Sequence, residues 1–124
     1  MISNGYHLLV ASVFAAAMSA GAPALGADAA KGAQLVQAHC NMCHSPEAGA
    51  APPLDGVVGR KAGTAAGYAA SAALKGSGLT WTPANLDAFL ADPAKLAPGT
   101  AMPNPYVSPA DRGDIIAYLA TLKP

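Results

Sequence analysis

Cysteine is scarce in this 124-residue chain: there are 2, Cys40 and Cys43, which excludes a framework of several disulfides. A bridge between these two would close so small a loop that it would add little as a staple, which points to chemistry at the thiols. Charge is scarce too. Asp, Glu, Lys and Arg make up 11% of the residues and cancel to a net charge of zero. That balance argues against nucleic acid and against a strongly charged partner surface. Aromatic residues are only 6% while Ala and Gly abound, so few large side chains are left to build a core. No stretch alternates apolar and polar residues for long enough to make a useful strand, and no segment repeats.

Residues 1–27 contain no Asp, Glu, Lys or Arg. The apolar run 8–18 precedes two small-residue triplets, Ala22-Pro23-Ala24 and Leu25-Gly26-Ala27. Together they read as a secretory signal peptide over residues 1–27, with either triplet able to precede the cleaved bond. The n-region holds His7 but no Lys or Arg, which leaves an uncleaved membrane anchor as the alternative. The run is short for a spanning helix and soon meets Gly21 and Pro23, so cleavage is favoured. Residues 28–124 then form one small exported domain, of a size that gains from an extra staple or a bound cofactor.

Helix signals recur along that domain. Asp28 can cap a helix carrying Gly32, Leu35, Val36 and His39 at helical spacing. Residues 45–68 are rich in Pro and Gly and read as loop, and 69–75 as a short helix stopped by Gly76-Ser77-Gly78. Thr82-Pro83 caps and starts a helix with Leu86, Phe89 and Leu90 on one face, and Asp92-Pro93 ends it. Residues 96–107 read as irregular, with Pro98, Pro103 and Pro105. Ser108-Pro109-Ala110-Asp111 resembles a capping box and opens a last helix whose buried side is Ile115, Ile116, Tyr118, Leu119 and Leu122. The expected fold is all-α, a small single domain of three or more helices with long loops. Loops of that length in so small a domain mean disorder or function. A large flat apolar ligand would give them a surface to fold on.

The first helix runs into Cys40-Asn41-Met42-Cys43-His44. A thioredoxin-like dithiol needs a βαβ context, which is absent. A structural zinc site needs a second, distant ligand pair, and none is present. Cys-x-x-Cys-His is also a known pattern for covalent haem attachment. On a helix the two thiols and the imidazole fall at i, i+3 and i+4, on one face, where all three can meet one porphyrin. Two thioether bonds and one iron ligand, His44, account for every reactive side chain of the motif.

A second iron ligand is sought among Met42, Met102, His39 and the lysines. Met42 lies between the anchoring cysteines and His39 adjoins Cys40, so neither can reach the other haem face. Met102, in Pro98-Gly99-Thr100-Ala101-Met102-Pro103, sits in a loop stiffened by proline. A lone Met is often core filler, but its Pro and Gly neighbours favour ligation. A His/Met pair raises the potential of the iron.

The chain resembles the class I cytochromes c, especially the mitochondrial and related soluble bacterial forms. Residues 28–123 share the resemblance, carried by CNMCH, Pro-Gly-Thr-Ala-Met, Pro52, Leu54, Gly56, the run 59–63, Trp81 and the ending 112–119. It implies one haem c, a Pro52 carbonyl on Nδ1 of His44, Arg60 and Trp81 near a haem propionate, and Thr100 holding the Met102 side. It also implies that Gly32 lets the first helix cross closely against the last, beneath Tyr118. Several positions depart from the family. Ala70 replaces a tyrosine, Leu74 an asparagine, Val36 an aromatic, Asn104 a phenylalanine and Ala101 a lysine. Trp81 and Arg60 also have plain readings, as core packing and as a solvated charge. Tyr118 reads as core, and Lys61, Lys75 and Lys95 as solvated lysines.

Together these features describe a periplasmic one-electron carrier and not an enzyme. It would work as a monomer between redox proteins, membrane respiratory complexes or a periplasmic dehydrogenase. The rival readings are a dedicated haem subunit of a dehydrogenase, and a peroxidase-like haem, which would need the position Met102 fills.

Overall fold

The computed structural model describes residues 26–68 and 72–124. Most of the expected signal segment, the first part of the expected helix at 69–75, and Ala70 lie outside them. Among the described residues there are six helices and no strand, as expected for an all-α domain. They are α1 (Ala29–His39), α2 (Asn41–His44), α3 (Ala72–Lys75), α4 (Pro83–Ala91), α5 (Pro93–Leu96) and α6 (Pro109–Leu119). None is long and apolar enough to cross a membrane.

Side-chain caps set the helix starts. Asp28 accepts the N–H groups of Ala30 and Lys31 at 2.9 and 3.1 Å, Thr82 that of Asn85 at 3.1 Å, and Ser108 that of Asp111 at 3.2 Å. Each removes one or two unpaired donors from a first turn. Ser108–Asp111 is only half a capping box, because the Asp111 carboxylate turns away to Lys31 Nζ at 2.9 Å. Asp92-Pro93 does end α4, but it also starts a helix that the sequence reading missed. The Asp92 carboxylate accepts the Lys95 N–H at 3.2 Å and Pro93 occupies the first turn of α5.

α1 crosses α6 at Gly32. A Cβ there would overlap the Asp114 carbonyl oxygen and lie 2.8 Å from Tyr118 Cβ, so the expected close crossing is present. Val36 from α1 joins Ile115 and Leu119 from α6 and Leu86, Phe89 and Leu90 from α4 in the core. Two expected faces are narrower than their spacing suggested. His39 is exposed and Leu35 only half-buried, while Ile116, Tyr118 and Leu122 pack at the core's edge. Arg112 ties α6 to α4 through Asp87 at 2.9 Å.

The loops are held by backbone bonds. An isolated bridge pairs Lys61 with Thr80, flanked by Ala62 N–H to Leu79 O at 2.8 Å and Trp81 N–H to Arg60 O at 2.9 Å. The chain end closes on the same region, with Gly56 N–H donating to Leu122 O at 3.1 Å.

Candidate functional site

The helices and loops enclose an apolar cavity of about 480 Å³, within the ordinary size of a cofactor pocket. Leu86, Phe89, Leu90, Ile115 and Leu119 form part of its wall, so it lies where a larger protein would place its core. All eight residues singled out from the sequence line it: Cys40, Cys43, His44, Pro52, Arg60, Trp81, Thr100 and Met102.

The cysteine motif forms one turn. Cys40 caps the end of α1 and the start of α2, and its carbonyl accepts the N–H groups of Cys43 and His44 at 3.1 and 2.9 Å. That hydrogen-bonded turn places both thiols and the imidazole at the cavity. Cys43 is exposed and Cys40 half-buried, and burial pushes the Cys40 thiol above its ordinary pKa.

His44 Nδ1 lies 2.7 Å from the Pro52 carbonyl oxygen. A carbonyl can only accept, so Nδ1 carries the proton and Nε2 keeps its lone pair for a metal. The Pro52 loop is itself tied to the motif by Ala51 N–H to Cys43 O at 3.0 Å. Met102 arrives from the 97–108 segment. Its N–H donates to Thr100 Oγ1 at a long 3.4 Å, and Thr100 N–H is fixed to Ala97 O at 3.0 Å. The rival donors stay away: His39 and Met42 are exposed, Met42 by 79%, and neither they nor any lysine lines the cavity.

Arg60 and Trp81 are set side by side by the bridge between their loops. The guanidinium donates to the Pro53 carbonyl at 3.2 and 3.3 Å and more weakly to the Asp55 carbonyl. No carboxylate among the described residues pairs with it, and burial lowers its pKa. A half-buried cation offered only neutral oxygens suits the anionic edge of a ligand. Trp81 is buried against Phe89, with ring centroids 4.8 Å apart, so its core-packing reading is also correct.

Sequence reasoning took Pro103 only as a stiffener of the Met102 loop and gave Tyr68 no role, yet both line the cavity. Neither side chain has a distinctive chemistry in the sequence, and only the folded loops bring them there. Leu74 and Ala101, two departures from the family, line it as well. Asn104 does not. Its amide donates to Ala91 O at 3.3 Å and its carbonyl oxygen accepts the Tyr106 N–H at 2.8 Å, which shapes the loop outside the cavity.

An apolar cavity, two thiols and an imidazole on one turn, a thioether and an unpaired guanidinium fit a covalently attached haem. A small all-α domain built around such a site is a class I cytochrome c. The sequence profile of the family described as "Cytochrome c" matches residues 29–123. Cytochrome c2 of Rhodomicrobium vannielii is 44% identical over 108 residues, 83% of this chain and 85% of the relative. Cytochrome c of Euglena viridis is 42% identical over 100 residues, 77% of this chain and 98% of the relative. The solved structure of cytochrome cH from Methylobacterium extorquens superposes with a TM-score of 0.70 at 52% identity, covering 76% of this chain and 98% of that one. The chain belongs to the cytochrome c family. It is an electron carrier and not an enzyme, and Cys40 and Cys43 hold its one covalent haem c.

Proposed function

We propose that this protein is a periplasmic one-electron carrier, exported by a signal over residues 1–27, in which His44 Nε2 and Met102 Sδ hold the haem iron. One observation carries the reading. A single apolar cavity receives an imidazole whose Nδ1 is committed to the Pro52 carbonyl and one thioether, and no other described imidazole, thioether or amine. When bound, the haem supplies an iron that alternates between Fe(II) and Fe(III).

The chain's residues fix what that iron experiences. Pro52 holds the imidazole in one tautomer and one orientation, so the ligand moves little when the charge changes. The Met102 thioether is neutral and soft and favours the reduced state. Leu86, Phe89, Leu90 and Ile115 keep water from the centre of the cavity, which penalises the extra charge of the oxidised state. Arg60 and Trp81 stand at the bridge between the loops, where the guanidinium and the indole would hold the anionic edge of the haem. With His44 and Met102 as its two protein ligands, the iron would have no position open for a substrate, which supports transfer of an electron over oxygen or peroxide chemistry. The electron donor and acceptor are redox proteins, membrane respiratory complexes or a periplasmic dehydrogenase.

Haem retention and a redox titration of the native protein test this together. Acid–acetone extraction should leave the haem on the chain, and the titration should follow a single one-electron curve in a protein recovered from the periplasm. Complete loss of haem, or recovery only with membranes, would contradict the reading.

A further inference from the structure

Asp114 is the buried charged side chain among the described residues, 3% exposed, and electron transfer gives it no task. It lies on α6 where α1 crosses. Its Oδ1 accepts the backbone N–H of Asp28 at 2.7 Å, and its Oδ2 is 3.6 Å from Lys31 Nζ. That lysine is half-exposed and lies closer to Asp111, at 2.9 Å. A carboxylate this buried calls for a close positive charge or several donors. Here it has one neutral amide and a share of a lysine.

Asp28 is also the junction between leader and domain. It caps α1, whereas Gly26 and Ala27 before it are exposed, and a Cβ on Gly26 would meet nothing within 4 Å. We propose that the Ala27–Asp28 peptide bond is the processing site, and that the α-ammonium it releases on Asp28 is the missing partner of Asp114. The proposal rests on the export reading above. Hydrolysis adds water across the bond: the carboxylate leaves with Ala27, and the nitrogen that stays on Asp28 takes up a proton. That nitrogen is the atom already 2.7 Å from Asp114 Oδ1. Processing thus converts a neutral hydrogen bond into a charged one at the α1–α6 crossing, without moving either helix. Cleavage after Ala24 would leave an amide at Asp28 and no new charge there.

The charged groups around this nitrogen are Lys31 and the Asp28 carboxylate on α1, and Asp111 and Asp114 on α6, with His39 acting on Asp111. A free α-amine titrates at roughly 7.7–8.0. Gaining Asp114 raises its folded pKa, so its contribution is complete below about pH 7.7 and disappears as pH rises through the higher folded value. Asp111 holds the Lys31 pKa above its ordinary value, so Lys31 stays charged across that window.

Two measurements on the holoprotein test this. The intact mass of the protein from its native periplasm should correspond to a start at Asp28. A start at Leu25 overturns the processing site alone, whereas a start at Met1 overturns the cleaved-signal reading on which the proposal rests. Second, urea unfolding compares holoprotein beginning at Asp28 with the same chain retaining Gly26-Ala27. At pH 6 the unfolding constant of the Asp28 form should be about five- to tenfold smaller, since a charged hydrogen bond is roughly twice as strong as a neutral one. By pH 10 the difference should vanish, and Asp114→Asn should abolish it at pH 6. Equal stabilities at pH 6, or a difference that persists in Asp114→Asn, would overturn the pairing.

Discussion

Replacing Gly32 by Ala should be among the most damaging single-methyl changes this protein can suffer. The new Cβ would overlap the Asp114 carbonyl oxygen and lie 2.6 Å from its carbonyl carbon and 2.8 Å from Tyr118 Cβ. Two of those atoms are α6 backbone, which no rotamer change can move, so the helices must part. Overpacking of this kind costs about 1–3 kcal/mol and sometimes more. Parting also loosens Val36 against Ile115 and Leu119, while Ala returns roughly 1 kcal/mol of helix propensity. The net expectation is a loss of about 2 kcal/mol, or roughly 8–16 °C in Tm for a domain of this size. Gly113→Ala is the matched control. It lies on α6, where a Cβ meets nothing within 4 Å, so it should stabilise by up to about 1 kcal/mol. Urea unfolding of both holoproteins, followed by circular dichroism, gives the two signs. Gly32→Ala within about 0.5 kcal/mol of wild type, the range usual for a bland surface change, would refute the close crossing.

Docking should be only weakly sensitive to salt. Lys61, Lys75 and Lys95 are exposed, Ala101 stands beside Met102 and the net charge is zero. Association with the redox partner should therefore change by under about tenfold between low and physiological ionic strength. A steep fall in association rate would reveal a basic patch. The acid limb of stability should flatten in Lys31→Ala. Lys31 holds the Asp111 carboxyl below its usual pKa, so that contribution exists above about pH 3.9 and is lost as pH falls through the folded value. Lys31 is exposed and Asp111 only half-buried, so solvent screens the pair and the change is small. Urea midpoints from pH 2 to 5 with identical slopes in mutant and wild type would contradict it.

The sequence was most readable where one residue decides a local outcome. Asp28, Thr82 and Ser108 are short polar side chains before a helical run, and each caps the helix it was expected to cap. Asp92 is the same kind of residue before the same kind of proline, yet it read only as a stop. Nothing local says that a chain leaving one helix enters another four-residue helix at once. The cysteine motif and Met102 were legible because their chemistry is rare and their competitors few. Asp114 was not, because an acidic residue in a helix ordinarily faces water, and only the close approach of α1 buries it. The Lys61–Thr80 bridge and the positive φ of 53° at Tyr106 were equally invisible. The bridge joins two loops distant in sequence, which no pattern within either loop encodes, and Tyr106 takes its φ in the loop turned by Asn104 outside the cavity.

Central to the account is that Met102 supplies the second iron ligand and thereby makes the protein a carrier. The direct measurement is the midpoint potential of wild type and Met102→Ala, taken together with the Met-to-ferric charge-transfer band of each. Loss of a neutral thioether should leave the position to water, hydroxide or a lysine, all of which favour Fe(III). The account predicts a clearly lower potential in the mutant, disappearance of the band and a new reactivity towards peroxide. An unchanged potential with the band intact would show that Met102 only fills the cavity, and that another residue completes the iron.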